Sequence, residues 1–202
     1  MPKSRIEAFT DAIIAIVMTI LVLELTSPAD GSFAALWDLR HQFVIYLISF
    51  LTLAIYWNNH HHLLQISHRV NGSVLWWNVL LLLFLSLIPF TTAWVSDHLF
   101  TTAPEVTYGA VMLAADLVWW GMVHELVREH GSQSKIAQAV ETRKSYISVG
   151  LVALGVVLGF FIPLSTLTCC VASLVPWLIP DRRIEQMMRE SAAGDKGGHK
   201  RD

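Results

Sequence analysis

Polar and ionisable residues recur at three places in a chain that is otherwise strongly apolar. The first group opens the stretch RIEAFTDAIIAIVMTILVLEL, the second is the segment YWNNHHHLL, and the third is the segment SVLWWN. Together they carry carboxylate, imidazole, indole, amide, hydroxyl and guanidinium groups, which can hydrogen-bond to one another or hold a metal ion. The residues of these groups that we single out are Arg5, Thr10, Asp11, Trp57, Asn59, His60, His61, Trp77 and Asn78.

The consecutive histidines are open to three interpretations. The first is a structural network, because ionisable groups inside a bilayer are costly and pair with each other. The second is a metal site, although His60 and His61 project about 100° apart on a helix and no HExxH pattern is present. The third is pH sensing by His60, His61 and His62, since the unperturbed pKa of histidine is about 6.5. We favour the network and expect no bound metal.

A second pattern lies in the uncharged part of the first stretch, where one hydroxyl stands among aliphatic residues. Its members are spaced 0, 3, 4 and 7 and so form one stripe on a helix: Ile16, Thr19, Ile20 and Leu23. Asp11 lies about 140° away, on the side that carries Ala15, Met18 and Val22. We therefore expect the acid to face the helix packing. Taken alone, the stripe favours ordinary packing or lipid contact.

The composition indicates what kind of protein positions these residues. Hydrophobic residues make up 54% of the 202, charged residues only 15%, and mean hydropathy is +0.51. A soluble domain carries about 25% charged residues, so the chain is expected to be a membrane protein. Its Lys and Arg residues form no nucleic-acid patch, and Cys169 and Cys170 are neighbours in an apolar run with no second pair.

A membrane-spanning helix needs about 20 mostly apolar residues. We predict six, at roughly 6–25, 42–63, 74–95, 106–127, 146–162 and 164–179. The last two are short and separated by Pro163, so we expect a helical hairpin, with a re-entrant pair as the alternative. The predicted domains are a six-helix transmembrane domain, 1–180, and a polar, partly disordered tail, 181–202.

The distribution of Lys and Arg predicts the orientation of these helices. An even number of spans puts both ends of the chain on one side, and 13 of the 14 Lys and Arg residues then share that side. The exception is Arg40, which faces the side that holds Asp30, Asp38, Asp97 and Glu105. We therefore expect a multi-pass protein of the cell membrane with both termini in the cytoplasm. In this topology the polar groups of the first three helices lie at one level.

The same three groups resemble the motifs of the TMEM175 family of potassium channels. The segment RIEAFTD is similar to the family signature R-x-x-x-F-S-D, with Thr10 in place of the usual serine. YWNNHHHLL resembles the W-x-N-H-H segment of its second helix, and NVLLLLFLSLIPFTTAW resembles the stretch of its third. Beyond the third helix the likeness is in hydropathy and helix number.

The resemblance implies an all-α homotetramer of six-helix subunits in which the first helix of each lines a central pore. The pore and gate positions that it implies are Ile16, Thr19, Ile20 and Leu23, the stripe found above. The structural network that it implies contains Arg5, Phe9, Thr10 and Asp11 with Trp57, Asn59, His60, His61, Trp77 and Asn78. No T-V-G-Y-G filter is present in the sequence.

The expected function is passive conduction of K⁺, and of other monovalent cations, through a hydrophobic constriction in the lipid bilayer. We expect no enzymatic activity, because the polar layer lacks a recurrent catalytic spacing. We also expect no cofactor besides the permeant ion, and no nucleic-acid partner. The alternatives are a proton-permeable channel of the same fold and a non-conducting membrane scaffold.

Overall fold

The computed structural model describes residues 3–67, 70–131, 134 and 142–178. Within these ranges the chain forms helices and no strand, so the predicted all-α class is confirmed there. The helices are α1 (Lys3–Leu23), α2 (Phe33–Asp38), α3 (Arg40–Ile66), α4 (Gly72–Ser86), α5 (Ile88–Asp97), α6 (Thr102–His130), α7 (Thr142–Gly159) and α8 (Leu164–Leu178). The predicted tail, 181–202, lies outside the described residues.

Helices cover most of each of the six segments that the hydropathy pattern predicts to cross a membrane. Three stretches of described chain are long and apolar enough to do so by length and composition: Lys3–Leu23, Gly72–Asp97 and Thr102–His130. A shorter apolar helix covers Leu164–Trp177. The molecule is therefore a multi-pass membrane protein, and the number of six spans stays a prediction.

The predicted third span consists of two helices, α4 and α5, that meet at Leu87. Pro89 occupies the first turn of α5 and has no N–H to give to the preceding turn. The backbone N–H of Leu87 bonds to the carbonyl of Phe84 at 3.1 Å, and that of Thr91 bonds to Leu87 at 3.1 Å. The break is therefore a local tightening, and the direction of the chain continues.

Helix α2 is a short element that the hydropathy pattern does not predict. Ser32 caps it, because its Oγ accepts a hydrogen bond from the backbone N–H of Ala35 at 3.1 Å. The carboxylate of Asp30 in turn accepts one from the N–H of Ser32 at 2.8 Å. Hydrogen bonds from the hydroxyl and the backbone N–H of Ser32 lower the pKa of the Asp30 carboxyl, which lies in the loop between α1 and α2. The capped turn leads directly into α3.

Helices α7 and α8 pack closely against each other and against α6, as the predicted hairpin requires. Gly155 and Gly159 stand one turn apart on α7, and a Cβ at either would collide with side chains of α8. Thr166 of α8 uses the space, and its hydroxyl donates to the carbonyl of Gly155 at 3.0 Å. Small residues that let two helices approach are typical of membrane proteins.

The buried core lies where α6 meets α4, α5, α7 and α8, while α1 packs on α3, α4 and α5 at the edge of the bundle. The start of α1 lies beside the end of α3, where Nζ of Lys3 donates to the carbonyl of Gln65 at 3.1 Å. We call this the network end of the bundle. The opposite end, where α3 and α8 begin, is called the far end.

Candidate functional site

Helix α1 has one face in the subunit and a broad face outside it. The inward face is formed by Ile6, Thr10, Ile14, Val17 and Leu21, all buried. Their spacing of three and four residues gives a single stripe, as expected for a helix that packs on one side. The remaining two thirds of the helix surface has few neighbours within the chain.

The stripe of Ile16, Thr19, Ile20 and Leu23 lies on this outer surface. Ile16 is 57% exposed, Ile20 40% and Leu23 79%. The hydroxyl of Thr19 donates to the carbonyl of Ile16 at 2.7 Å. Because the proton is used inside the helix, the lone pairs of the oxygen point away from it and can accept a hydrogen bond or contact a cation.

The opposite flank of α1 differs from the expectation. We expected the side that carries Ala15, Met18 and Val22 to face the helix packing, but Ala15 is exposed and Val22 is 47% exposed. The buried face of α1 lies about 120° from the stripe and about 120° from the side of Ala15 and Val22. Packing of the buried face on α3, α4 and α5 therefore leaves both of the other surfaces exposed. Helix α1 therefore offers two outward surfaces, one aliphatic with a hydroxyl and one of smaller residues.

At the network end, one buried cluster joins α1, α3 and α4. Thr10 and Asn78 have no exposed surface, and His60 is 1% exposed. The amide Nδ2 of Asn78 donates to Oγ1 of Thr10 at 2.9 Å, and its Oδ1 accepts from Nε2 of His60 at 2.8 Å. The amide links all three helices, because it can donate and accept at the same time. We call these residues the buried triad.

A second, half-exposed cluster lies beside the triad. Nε1 of Trp57 donates to Oδ1 of Asp11 at 2.9 Å, and the Trp57 ring stacks on His61 with centroids 5.8 Å apart. Nδ1 of His61 lies 3.1 Å from a carboxylate oxygen of Glu7. Its Nε2 accepts from the amide of Gln65 at 2.7 Å. Nε2 of His61 is therefore hydrogen-bonded, while its Nδ1 lies beside the Glu7 carboxylate without a well-directed hydrogen bond.

Four residues of the predicted network lie away from these two clusters. Arg5 is exposed and, among the described residues, has no hydrogen bond or ion pair. Phe9 is 48% exposed. Trp77 turns to α6, where its ring covers Gly121, and Asn59 lines a small cavity between α3, α6, α7 and α8. The structure thus brings together Thr10, Asp11, Trp57, His60, His61 and Asn78.

Sequence reasoning missed a partly buried carboxylate, Asp116 of α6. It accepts hydrogen bonds from the hydroxyl of Tyr56 and from Oγ of Ser148 at 2.7 Å. It lines the same cavity as Asn59. This cavity has a volume of about 20 Å³, which is enough room for one water molecule. The sequence did contain a sign of this interaction, because an acid within the apolar run VMLAADLVWW is rare and needs a hydrogen-bonding partner.

A second missed carboxylate is Glu105, at the far end. Its side chain has no exposed surface, and it lies near the backbone N–H groups of Phe100 and Leu167. Leu167 belongs to the first turn of α8, whose N–H groups have no partner within the helix. We expected Glu105 to face the outer surface, and the structure buries it against the start of α8 instead.

Metal ligation by the histidines has little support in this geometry. In the part of the chain that the structure describes, no three His, Cys, Asp or Glu side chains converge. Nε2 of His60 is used by Asn78, and His61 is held between Glu7 and Gln65. The arrangement anchors the start of α1 to α3 and α4 and leaves the rest of its outer surface uncovered.

A family model and two relatives place this arrangement among known proteins. Residues 5–89 match the family model described as endosomal/lysosomal potassium channel TMEM175, and they include both the stripe and the triad. A protein of Chryseobacterium sp. (strain P1-3) that is named a potassium channel is 40% identical over 192 residues, which cover 95% of this chain and 100% of that one. The mouse protein named endosomal/lysosomal proton channel TMEM175 is 25% identical over 130 residues, which cover 61% of this chain and 25% of that protein.

A solved structure shows the same architecture. The crystal structure of a lysosomal potassium-selective channel TMEM175 homolog from Chamaesiphon minutus superposes with a TM-score of 0.76 at 25% sequence identity. The match covers 87% of this chain and 96% of that one. The arrangement of helices described above is thus the arrangement of a known channel.

Proposed function

Because the chain belongs to the TMEM175 family of ion channels, we propose that four copies assemble around an axis and conduct K⁺ passively through the pore between them. The full-length relative from Chryseobacterium is named a potassium channel, which supports K⁺ as the permeant ion. Other monovalent cations pass less readily in this proposal. No cofactor or enzymatic step is part of it.

One observation carries the pore assignment to α1. Ile16, Ile20 and Leu23 are exposed along the helix although they are apolar, and the start of the same helix is anchored by the buried triad. A single helix cannot enclose a pore, but a ring of four can. In such a ring one flank of α1 faces the axis and the flank of Ala15 and Val22 faces the neighbouring copy.

The stripe suits an aliphatic gate. A ring of four isoleucine side chains narrows the pore and disfavours water, so it gates by dewetting and removes part of the hydration shell of an ion. Thr19 lies next to Ile16 along this face, and its oxygen is available to a passing cation. We assign the constriction to Ile16 and Ile20, with Leu23 at the wider far end.

The two clusters at the network end position the pore helix in this proposal. Rotation of α1 would separate Thr10 from Asn78 and Asp11 from Trp57. The subunit is proposed to have six spans over 1–180, with both termini in the cytoplasm of a cell whose plasma membrane holds the tetramer. This orientation is supported by the predicted topology of six spans, in which 13 of the 14 Lys and Arg residues fall on one side of the membrane.

Proton conduction is the alternative within the same fold. The mouse relative is named a proton channel, and the imidazole of His61 lies beside the carboxylate of Glu7, two groups that can each carry a proton. A scaffold without conduction is the other alternative. The proton channel and the scaffold differ from a K⁺ channel in which ion, if any, crosses the membrane. A flux measurement therefore distinguishes the three.

The test uses purified protein in liposomes, with K⁺, Na⁺ and H⁺ gradients imposed one at a time. We expect K⁺ flux above Na⁺ flux, and loss of both in Ile16→Trp, which fills the axis with four indoles. Leu154→Trp is the matched control, because Leu154 is an exposed residue of α7. Proton flux without K⁺ flux favours the alternative channel, and absence of all flux favours the scaffold.

A further inference from the structure

An apolar groove runs along the surface of the bundle at its far end, on a side that α1 does not occupy. Its volume is about 720 Å³. The first turns of α3 and α8 form its walls, and its apolar lining includes Val44, Ile48, Phe100, Leu164 and Val171. A groove of this size accommodates a drug-sized or larger apolar ligand.

One end of the groove carries the positive charge of Arg40. Arg40 and His41, the first residues of α3, both line it and are both exposed. The guanidinium of Arg40 donates one hydrogen bond, from Nη1 to the carbonyl of Trp37 at 3.2 Å, and lies 5.9 Å from the Trp37 ring centre. Among the described residues no carboxylate pairs with it, so most of its five donors remain available.

Helix α2 indicates the depth of this charge in the membrane. Phe33, Leu36 and Trp37 of this helix are all exposed although they are apolar. Tryptophan is enriched at the boundary between lipid and water, where its ring is apolar and its N–H is polar. Arg40 therefore lies at the level of the lipid headgroups, and the groove extends from there toward the level of the acyl chains.

We propose that this groove binds an anionic phospholipid, with its phosphate on Arg40 and His41 and one acyl chain between α3 and α8. Charge complementarity selects this occupant, because the exposed guanidinium of Arg40 has no carboxylate partner among the described residues and arginine binds phosphate with paired hydrogen bonds. The site does not depend on the pore assignment, because it requires only that the protein spans a membrane.

A second copy of the chain is the rival occupant. It would leave Arg40 facing another apolar or acidic surface rather than a phosphate. It would also make the groove part of the interface on which assembly depends. The two occupants therefore predict different effects when the groove is filled by a side chain.

Native mass spectrometry of the assembled protein tests the proposal, with phosphatidylglycerol and phosphatidylcholine of identical acyl chains as probes. We expect phosphatidylglycerol to be retained in preference to phosphatidylcholine. Arg40→Gln should lower its retention by about tenfold, the effect of one hydrogen bond to a charged group. Val44→Trp, which fills the groove, should lower retention of both lipids. Lys3→Gln and Leu154→Trp are the controls for charge and for bulk, because neither residue lines the groove.

The elution volume and thermal unfolding of each variant are measured first, so that a folding defect is recognised. Equal retention of the two lipids, or unchanged retention in folded Arg40→Gln, would overturn the proposal. Dissociation of the assembly by Val44→Trp with no change in lipid retention would also overturn it, in favour of the second copy. Loss of retention with the assembly intact supports the lipid.

Discussion

At the scale of single residues, burial separates the two polar clusters more clearly than residue type does. The buried triad of Thr10, His60 and Asn78 is closed to solvent, while Asp11 and Trp57 are partly exposed. Both clusters look alike in the sequence, since each combines hydroxyl, ring and amide or carboxylate groups. The energetic consequence of a substitution should therefore differ between them.

Asn78→Leu should destabilise the protein strongly. It leaves the N–H of His60 and the hydroxyl of Thr10 buried without a partner, at a cost of about 1–3 kcal/mol for each group. Asp11→Ala should cost less, about 1 kcal/mol, because water can reach the N–H of Trp57. Thermal unfolding of the two purified variants compares them. Equal stability of the two variants would show that the buried triad is no better shielded from water than Asp11 and Trp57.

Thr19→Val should lower K⁺ current without widening the pore. Valine keeps the shape but removes the oxygen, and the loss of one weak interaction corresponds to about twofold to tenfold in rate, or about 0.5–1.5 kcal/mol. Ser86→Ala is the matched control, since its exposed hydroxyl also donates to a carbonyl three residues earlier, that of Leu83 at 2.7 Å. Currents recorded from both variants decide whether the Thr19 oxygen contacts ions.

At the scale of elements, hydropathy was sufficient to predict where the long helices lie. It could not predict α2, because a capped helix of this length depends on Ser32 and Asp30 and on no apolar run. The break at Leu87 was also not predicted, since the sequence does not show whether Pro89 begins a new helix or lies inside a continuous one. Both features depend on backbone hydrogen bonds, to which hydropathy is insensitive.

The faces of the helices were predicted less well than their positions. The sequence pattern places Asn59 beside His60, but on a helix the two project about 100° apart, and Asn59 points to the cavity of Asp116. Arg5 was expected inward and is exposed. Which neighbour a polar side chain meets depends on the order of helices around the bundle, and one sequence does not contain that order explicitly.

Gly155→Leu should separate α7 from α8. The new side chain meets Cys169 and the backbone of Thr166, and overpacking of this kind costs about 1–3 kcal/mol. Gly150→Leu on the same helix is the control, because a Cβ there meets nothing within 4 Å. Thermal unfolding of the variants measures the difference. A Gly155→Leu protein as stable as the control would mean that the hairpin is loosely packed.

At the scale of the whole molecule, the single chain leaves surfaces that only an assembly or lipid can cover. Both outward flanks of α1 are exposed, which a helix at the centre of a ring of copies requires. The core around α6 is complete within one chain. The subunit is thus proposed to fold as a unit and to assemble through α1.

The assembly should be a homotetramer. The mass of the purified protein in mild detergent and in lipid nanodiscs, measured by light scattering, is expected to correspond to four chains. Val22→Trp should reduce it, since Val22 lies on the flank proposed to face the neighbouring copy, whereas Leu154→Trp on α7 should not. A mass of one or two chains in both media would contradict the pore proposal.

The central claim is that the stripe of α1 lines the pore, and single-channel recording of Ile16→Asn tests it most directly. Four amides in place of four apolar walls remove the dewetting barrier, so conductance should rise and discrimination between K⁺ and Na⁺ should fall. Leu154→Asn, on the exposed surface of α7, should change neither. The claim is contradicted if Ile16→Asn conducts as the unsubstituted protein does while Val22→Asn, on the other flank of α1, raises conductance.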